Sequence, residues 1–204
     1  MSPRFLSLFA LSCYPLLIIV SLWLDQPELR AATMPLLAVA LVGGWPTTTG
    51  SRALVLGSVF LAALVITVPA LALWPPGLAC LGVAAFFALS LRPGRQPLIE
   101  RIAQAVHRDQ GLPMPGNSEV WMHRWTAFWA VLLGLIGTVS LALAIVDRPV
   151  VWLVWVVVIG PLLGLSVLIV EYLLRRRRFP DAEHWTLGRF LVMLARIRPE
   201  HLAR

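Results

Sequence analysis

Long apolar runs constrain this chain more than any other feature of its sequence. A helix needs roughly 20 apolar residues to cross a hydrocarbon core of about 30 Å. Four apolar runs reach or exceed that length, at residues 5–24, 53–74, 125–146 and 150–174, and two shorter runs cover residues 33–45 and 75–91. Glu171 is the only charged residue in these six runs. With 59% hydrophobic and 13% charged residues, the sequence predicts an all-α integral membrane bundle of about six transmembrane helices.

The positions of the arginines predict the orientation of this bundle. All 17 basic residues are arginine, and positively charged loops resist translocation. Six spans with both termini in the cytoplasm leave only Arg30 and Arg148 on the outer side. A re-entrant segment at residues 33–45 would move one basic terminus across the membrane, so we expect a full span there, with the re-entrant form as the alternative.

This topology divides the chain into four parts. We expect a four-span half at residues 1–91, a basic cytoplasmic loop at 92–124, a helical hairpin at 125–174 and a basic cytoplasmic tail at 175–204. The outer connections, including a proline-rich turn at residues 74–77, are short. Any soluble partner is therefore expected on the cytoplasmic side.

Two cytoplasmic stretches have the pattern of amphipathic helices. In residues 97–108 the apolar side chains recur on one side, and Glu100 and Arg101 fall on the polar side. Residues 187–197 of the tail repeat apolar side chains at the same spacing. Both patterns predict helices that lie on the membrane surface and contact its anionic lipids.

Glu171 is the most informative single residue, because an ionisable group within a span is costly and usually faces protein. It shares a helix face with Gly160, Gly164, Val167 and Arg175, and we expect it to point into the bundle and pair with Arg175. A proton or cation relay, or contact with a lipid head group, is the alternative. A second small-residue stripe, at Ala130, Gly134 and Gly137, is expected to pack against the last span.

The sequence offers no catalytic, cofactor or metal motif. The four histidines lack zinc-ligand spacing, and Cys13 and Cys80 have no neighbouring histidine. No nucleophile motif or phosphate-binding loop is present. The arginines end apolar runs instead of alternating with stacking aromatics, which is unlike a nucleic-acid surface. Several tryptophans near span ends, among them Trp121 and Trp125, are typical of the membrane interface.

Three stretches carry a resemblance to a known family: FFALSLRPGRQPLIERIA at residues 86–103, WMHRWTAFW at 121–129 and VEYLLRRRRFP at 170–180. They are similar to a family of small uncharacterised bacterial inner-membrane proteins, encoded beside fatty-acid-synthase-like genes for aryl polyene and xanthomonadin-type pigments. The similarity implies the bacterial cytoplasmic membrane and a part in lipid or pigment biosynthesis. It covers about half the chain, and at His123 the family pattern has a second arginine.

These observations lead to one functional hypothesis and two alternatives. The candidate residues for binding a head group or partner are Arg92, Arg95, Glu100, Arg101, Arg124, Glu171, Arg175 and Arg176. We expect the arginines to gather at the cytoplasmic mouth of the bundle with both glutamates as counter-charges. There the chain would dock an acidic acyl carrier protein, or cytoplasmic acyl or polyene assembly enzymes, without catalysis. The alternatives are a transporter or flippase for a lipid-linked product and a membrane-embedded transferase.

Overall fold

The structure, a computed structural model, is predominantly helical in the part of the chain that it describes. It describes residues 3–24, 26, 29, 33, 64–65, 68–110, 116 and 118–180, and these residues include no strand. Helix α1 spans Pro3–Trp23, α2 spans Trp74–Ser90, α3 spans Leu98–Gln110 and α4 spans Ser118–Ile145. Helices α5 (Pro149–Val154) and α6 (Gly160–Arg178) are joined by a π-helical segment, Trp155–Ile159. The all-α fold class is confirmed for this part of the chain.

Three helical stretches are long and apolar enough to cross a membrane: Leu71–Ser90, Ser118–Ile145 and Pro149–Arg178. They correspond to the apolar runs at residues 75–91, 125–146 and 150–174. The first run is helical in α1, whose apolar part Cys13–Trp23 is shorter. The run at 33–45, most of the run at 53–74, nearly all of the loop at 111–117 and the tail helix at 187–197 lie outside the described residues.

The predicted turn at residues 74–77 is wrong, because these residues form the first turn of α2. Proline is tolerated in a first helical turn, where its missing N–H would have no partner within the helix. The helical backbone is interrupted earlier, at Val68, which has an extended conformation (φ −133°, ψ 80°) and precedes a 3-10 turn over Pro69–Leu73. Residues before proline favour this extended conformation.

The π-helical segment occurs directly before the only proline in the interior of the last apolar helix. Pro161 has no N–H, and in a regular helix its ring would clash with the carbonyl of Val157. In the segment the Gly160 N–H donates to the Trp155 carbonyl, five residues back. The hydrogen bond thus spans five residues instead of four, and this local π-helical geometry explains how Pro161 is accommodated in a continuous helix.

The described residues form two compact units. One unit contains the described residues of 1–79 and 137–160, and the other contains those of 80–136 and 161–204. In the first unit α1 contacts α5. Its core contains Tyr14, Ile18, Val65, Ala72, Leu73, Ala144 and Trp152. The Tyr14 hydroxyl donates to the Ala72 carbonyl at 2.6 Å, which satisfies the polar atom of a buried side chain.

The small-residue stripe of α4 has a different neighbour from the one predicted. A Cβ atom added to Gly134 would lie 3.9 Å from the Ala84 side chain of α2. A Cβ atom added to Gly77 of α2 would lie 3.1 Å from the Gly137 carbonyl. The stripe therefore packs against α2 at both positions, whereas the sequence placed it against the last span. Small residues permit this close approach of two helices.

Candidate functional site

An exposed charged feature of the second unit is the turn between α2 and α3, formed by Arg92, Pro93, Gly94 and Arg95. The Arg95 N–H donates to the Arg92 carbonyl at 3.1 Å, and Gly94 has φ +80°. Proline at the second position and a glycine with positive φ at the third define a type II β-turn. Both arginine side chains are exposed. The local sequence thus forms a tight turn that holds two guanidinium groups in solvent.

Two buried hydroxyl groups fix the start of α3, where this turn ends. Ser90 Oγ, at the end of α2, accepts the Leu98 N–H at 3.0 Å. Thr126 Oγ1 of α4 accepts the Ile99 N–H at 3.4 Å, and both hydroxyls donate to carbonyls of their own helices. The first N–H groups of a helix have no partner within it, so side-chain acceptors stabilise this end. The turn is consequently anchored to both α2 and α4.

The structure places Glu100 differently from the sequence prediction. It was expected on the polar, water-facing side of α3, but only 8% of the residue is exposed, and its Oε1 accepts a hydrogen bond from Gln104 Nε2 at 3.0 Å. The hydrogen bonds of the Leu98 and Ile99 N–H groups to Ser90 and Thr126 hold the first turn of α3 against α2 and α4. Burial raises the pKa of the Glu100 carboxyl, and the negative charge of Glu119 raises it further.

The raised pKa of Glu100 predicts a pH-dependent stability. Because the folded protein favours the protonated carboxyl, its contribution is fully present below the pKa of the unfolded chain and is lost as pH rises through the folded pKa. Glu100→Gln keeps an acceptor for Gln104 but cannot ionise. We expect thermal melts of the purified variant to change less than those of the wild type as pH rises from about 4 to neutrality. Parallel pH profiles for the two proteins would contradict this assignment.

Glu171 lies at a second polar contact, between α4 and α6. It is 7% exposed, its Oε1 pairs with Arg175 Nη2, and its Oε2 accepts the indole N–H of Trp129 at 3.1 Å. The predicted inward direction and the pairing with Arg175 are both confirmed. The helix face shared with Gly164 and Val167 is also less exposed than the rest of α6. A Cβ atom on Gly164 would nevertheless meet no atom within 4 Å, so the predicted close packing at that glycine is not found.

Aromatic rings continue the contact between these helices toward the end of α6. The ring centroids of Trp121 and Trp125 are 5.7 Å apart, and Phe179 meets Trp121 edge-on at 6.2 Å. Since Trp129 contacts Glu171 and Trp121 contacts Phe179, the start of α4 and the end of α6 run antiparallel. Trp121, Trp125 and Trp129 are spaced four residues apart, which places them on one face of α4.

The structure brings together some of the candidate residues and separates others. Arg92 and Arg95 share the turn, Glu100 and Arg101 share the first turn of α3, and Glu171 pairs with Arg175. Arg124 and Arg176 are exposed, and neither forms an ion pair within the described part of the chain. Glu100 was expected as a counter-charge, but the partner shown for it is Gln104.

Sequence reasoning missed Trp129 and Ser90, although both support the candidate site. The four-residue spacing of the tryptophans could have indicated a shared face, but not which acceptor it meets. Ser90 is the last residue of an apolar helix, where a hydroxyl gives no distinctive signal. Among the described residues, no group of three His, Cys, Asp or Glu side chains could hold a metal ion.

No family model, curated protein or solved structure matches this chain.

Proposed function

We propose that this chain is an integral protein of the bacterial cytoplasmic membrane that docks an acidic partner at its surface without itself performing chemistry. The partner class we favour is an acyl carrier protein, or an assembly enzyme that carries acyl or polyene chains. The bacterial membrane, the pathway and this partner class rest on the sequence similarity described above. Three helices of membrane-spanning length support the membrane setting.

The observation that carries the proposal is the exposed arginine turn. Arg92 and Arg95 form no ion pair within the described residues, and the anchored type II turn holds them beside each other. A rigid turn loses little conformational entropy on binding, which favours recognition. Guanidinium groups also form paired hydrogen bonds with carboxylates and phosphates. The turn is therefore suited to an acidic protein surface.

The two buried carboxylates fit a structural role better than a chemical one. Both oxygens of Glu171 are engaged, one by Arg175 and the other by Trp129. Glu100 accepts from Gln104, and its raised pKa favours the neutral form. A relay in the transport alternative would require Glu171 to release its partners. For this reason we place docking ahead of transport and of a membrane-embedded transferase.

A charge-reversal experiment tests docking directly. The full chain in lipid nanodiscs would be titrated with purified acyl carrier protein from a bacterium that makes an aryl polyene. We expect the double variant Arg92→Glu with Arg95→Glu to bind at least about tenfold more weakly, because two attractive contacts become repulsive. The dissociation constant at low salt is the quantity to measure.

Arg148 supplies the matched control for this experiment. It is an exposed arginine in another turn, directly before α5, and the predicted topology places it on the outer face. Arg148→Glu reverses one charge, half the change of the double variant, and it does so away from the proposed docking turn. Its affinity should therefore remain within about twofold of the wild type. Equal losses for both variants would show a nonspecific charge effect, and no loss for the double variant would exclude the turn as the docking site.

A further inference from the structure

The four arginines that end α6 are not equivalent in the structure. Arg175 pairs with the buried Glu171, so its charge is already compensated. Arg176, Arg177 and Arg178 are exposed, and none of them forms an ion pair within the described part of the chain. Three consecutive exposed guanidinium groups therefore stand at the end of this helix without an ion pair to any described residue. They belong to the end of α6, whereas Arg92 and Arg95 belong to the turn between α2 and α3.

The length of the helix places these arginines at the level of lipid head groups. The continuous helical stretch Pro149–Arg178 has 30 residues. At about 1.5 Å per residue it is roughly 45 Å long, whereas the hydrocarbon core measures about 30 Å and the bilayer with its head groups about 40–45 Å. With the polar residues Asp147 and Arg148 before its start, the last turns extend beyond the hydrocarbon.

The aromatic cluster lies at this same end of the helix. Phe179 follows the arginines directly and contacts Trp121, which in turn contacts Trp125. Tryptophan side chains favour the interface between hydrocarbon and head groups. The indole Nε1 of Trp121 is shielded from solvent and has no acceptor among the described residues. A buried donor without a partner is unfavourable, so an acceptor from outside the described residues would stabilise this end of the helix.

We propose that Arg176, Arg177 and Arg178, together with Trp121 and Phe179, bind the head group of an anionic phospholipid. The phosphodiester would accept hydrogen bonds from the guanidinium groups, and the rings would contact the glycerol and the first carbons of the acyl chains. The proposal extends beyond docking of an acidic protein, since it concerns different arginines and a different ligand.

Lipid titration of the purified full chain tests this site. The detergent-solubilised protein would be titrated with phosphatidylglycerol, phosphatidylcholine and inorganic phosphate, and binding followed by native mass spectrometry. We expect clear preference for phosphatidylglycerol. Replacing Arg176, Arg177 and Arg178 together by glutamine should weaken its binding about fivefold for each arginine, on the order of a hundredfold in total. The corresponding triple lysine variant should retain most of the affinity.

The double variant Arg92→Gln with Arg95→Gln is the control, and we expect it to bind phosphatidylglycerol as the wild type does. Its result separates the lipid site from the docking turn, because either proposal can fail alone. Equal binding of phosphatidylcholine, competition by inorganic phosphate at equal concentration, or full affinity in the triple glutamine variant would overturn the proposal. If that variant does not fold, the lipid preference of the wild type and the triple lysine variant decides the question.

Discussion

Arg175→Met is expected to lower the free energy of unfolding by about 3 kcal/mol, because it leaves the Glu171 carboxylate buried with only the Trp129 indole as partner. Glu171→Met should cost less, on the order of 1 kcal/mol. The Arg175 side chain is 29% exposed and can turn its guanidinium group toward water. The double variant should lie within about 1 kcal/mol of the wild type, since two apolar side chains can replace a buried ion pair at little cost.

Unfolding of the detergent-solubilised variants by titration with sodium dodecyl sulfate measures these differences. The informative quantity is the coupling between the two substitutions, which isolates their mutual interaction from the effects of each alone. Trp129→Phe is a useful companion, because it removes one hydrogen bond to Glu171 and should cost about 1 kcal/mol. Strictly additive losses in the double variant would show that the pair does not act as a unit.

Gly77→Ala is expected to destabilise the protein and Gly82→Ala is not, although both residues lie in α2. A Cβ atom on Gly77 would come within 2.8 Å and 2.9 Å of Leu141 Cγ and Cδ2, and within 3.1 Å of the Gly137 carbonyl. Contacts this short force two helices apart or displace Leu141, at a cost of about 1–3 kcal/mol. A Cβ atom on Gly82 meets nothing within 4 Å.

The Gly82→Ala variant is therefore the matched control for Gly77. It adds the same methyl group to the same helix and should leave stability unchanged or raise it by up to about 1 kcal/mol, the difference in helix propensity. Thermal melts of both variants in one detergent provide the comparison. A stability of Gly77→Ala equal to that of Gly82→Ala would contradict the close approach of α2 and α4.

Features that depend only on the spacing of residues within one helix could be predicted from the sequence. The apolar runs at residues 75–91, 125–146 and 150–174 are helical, and the face of α6 that bears Glu171 is turned inward. The pairing of Glu171 with Arg175 was predictable for the same reason, because residues four apart on a helix are neighbours. These features depend on nearby sequence alone.

Contacts between distant segments could not be predicted in this way. The bond from Trp129 to Glu171 depends on how α4 and α6 are aligned. The start of α3, which precedes the buried Glu100, is held by the hydroxyls of Ser90 and Thr126 from two other helices. The sequence at the first turn of α2 predicts a connection between helices, but proline has two roles. Proline breaks the interior of a helix but is tolerated at its start. The extended backbone of Val68, before the 3-10 turn that leads into α2, shows that the second role applies here.

The central claim, that the exposed arginine turn docks an acidic carrier protein, is tested most directly by the salt dependence of that binding. The wild-type chain in nanodiscs would be titrated with acyl carrier protein at about 50 mM and 500 mM salt, which shortens the electrostatic screening length from roughly 14 Å to 4 Å. The account predicts measurable binding at low salt that is lost at high salt and in the Arg92→Glu, Arg95→Glu variant. Absence of binding at low salt, or binding unaffected by salt, would contradict it.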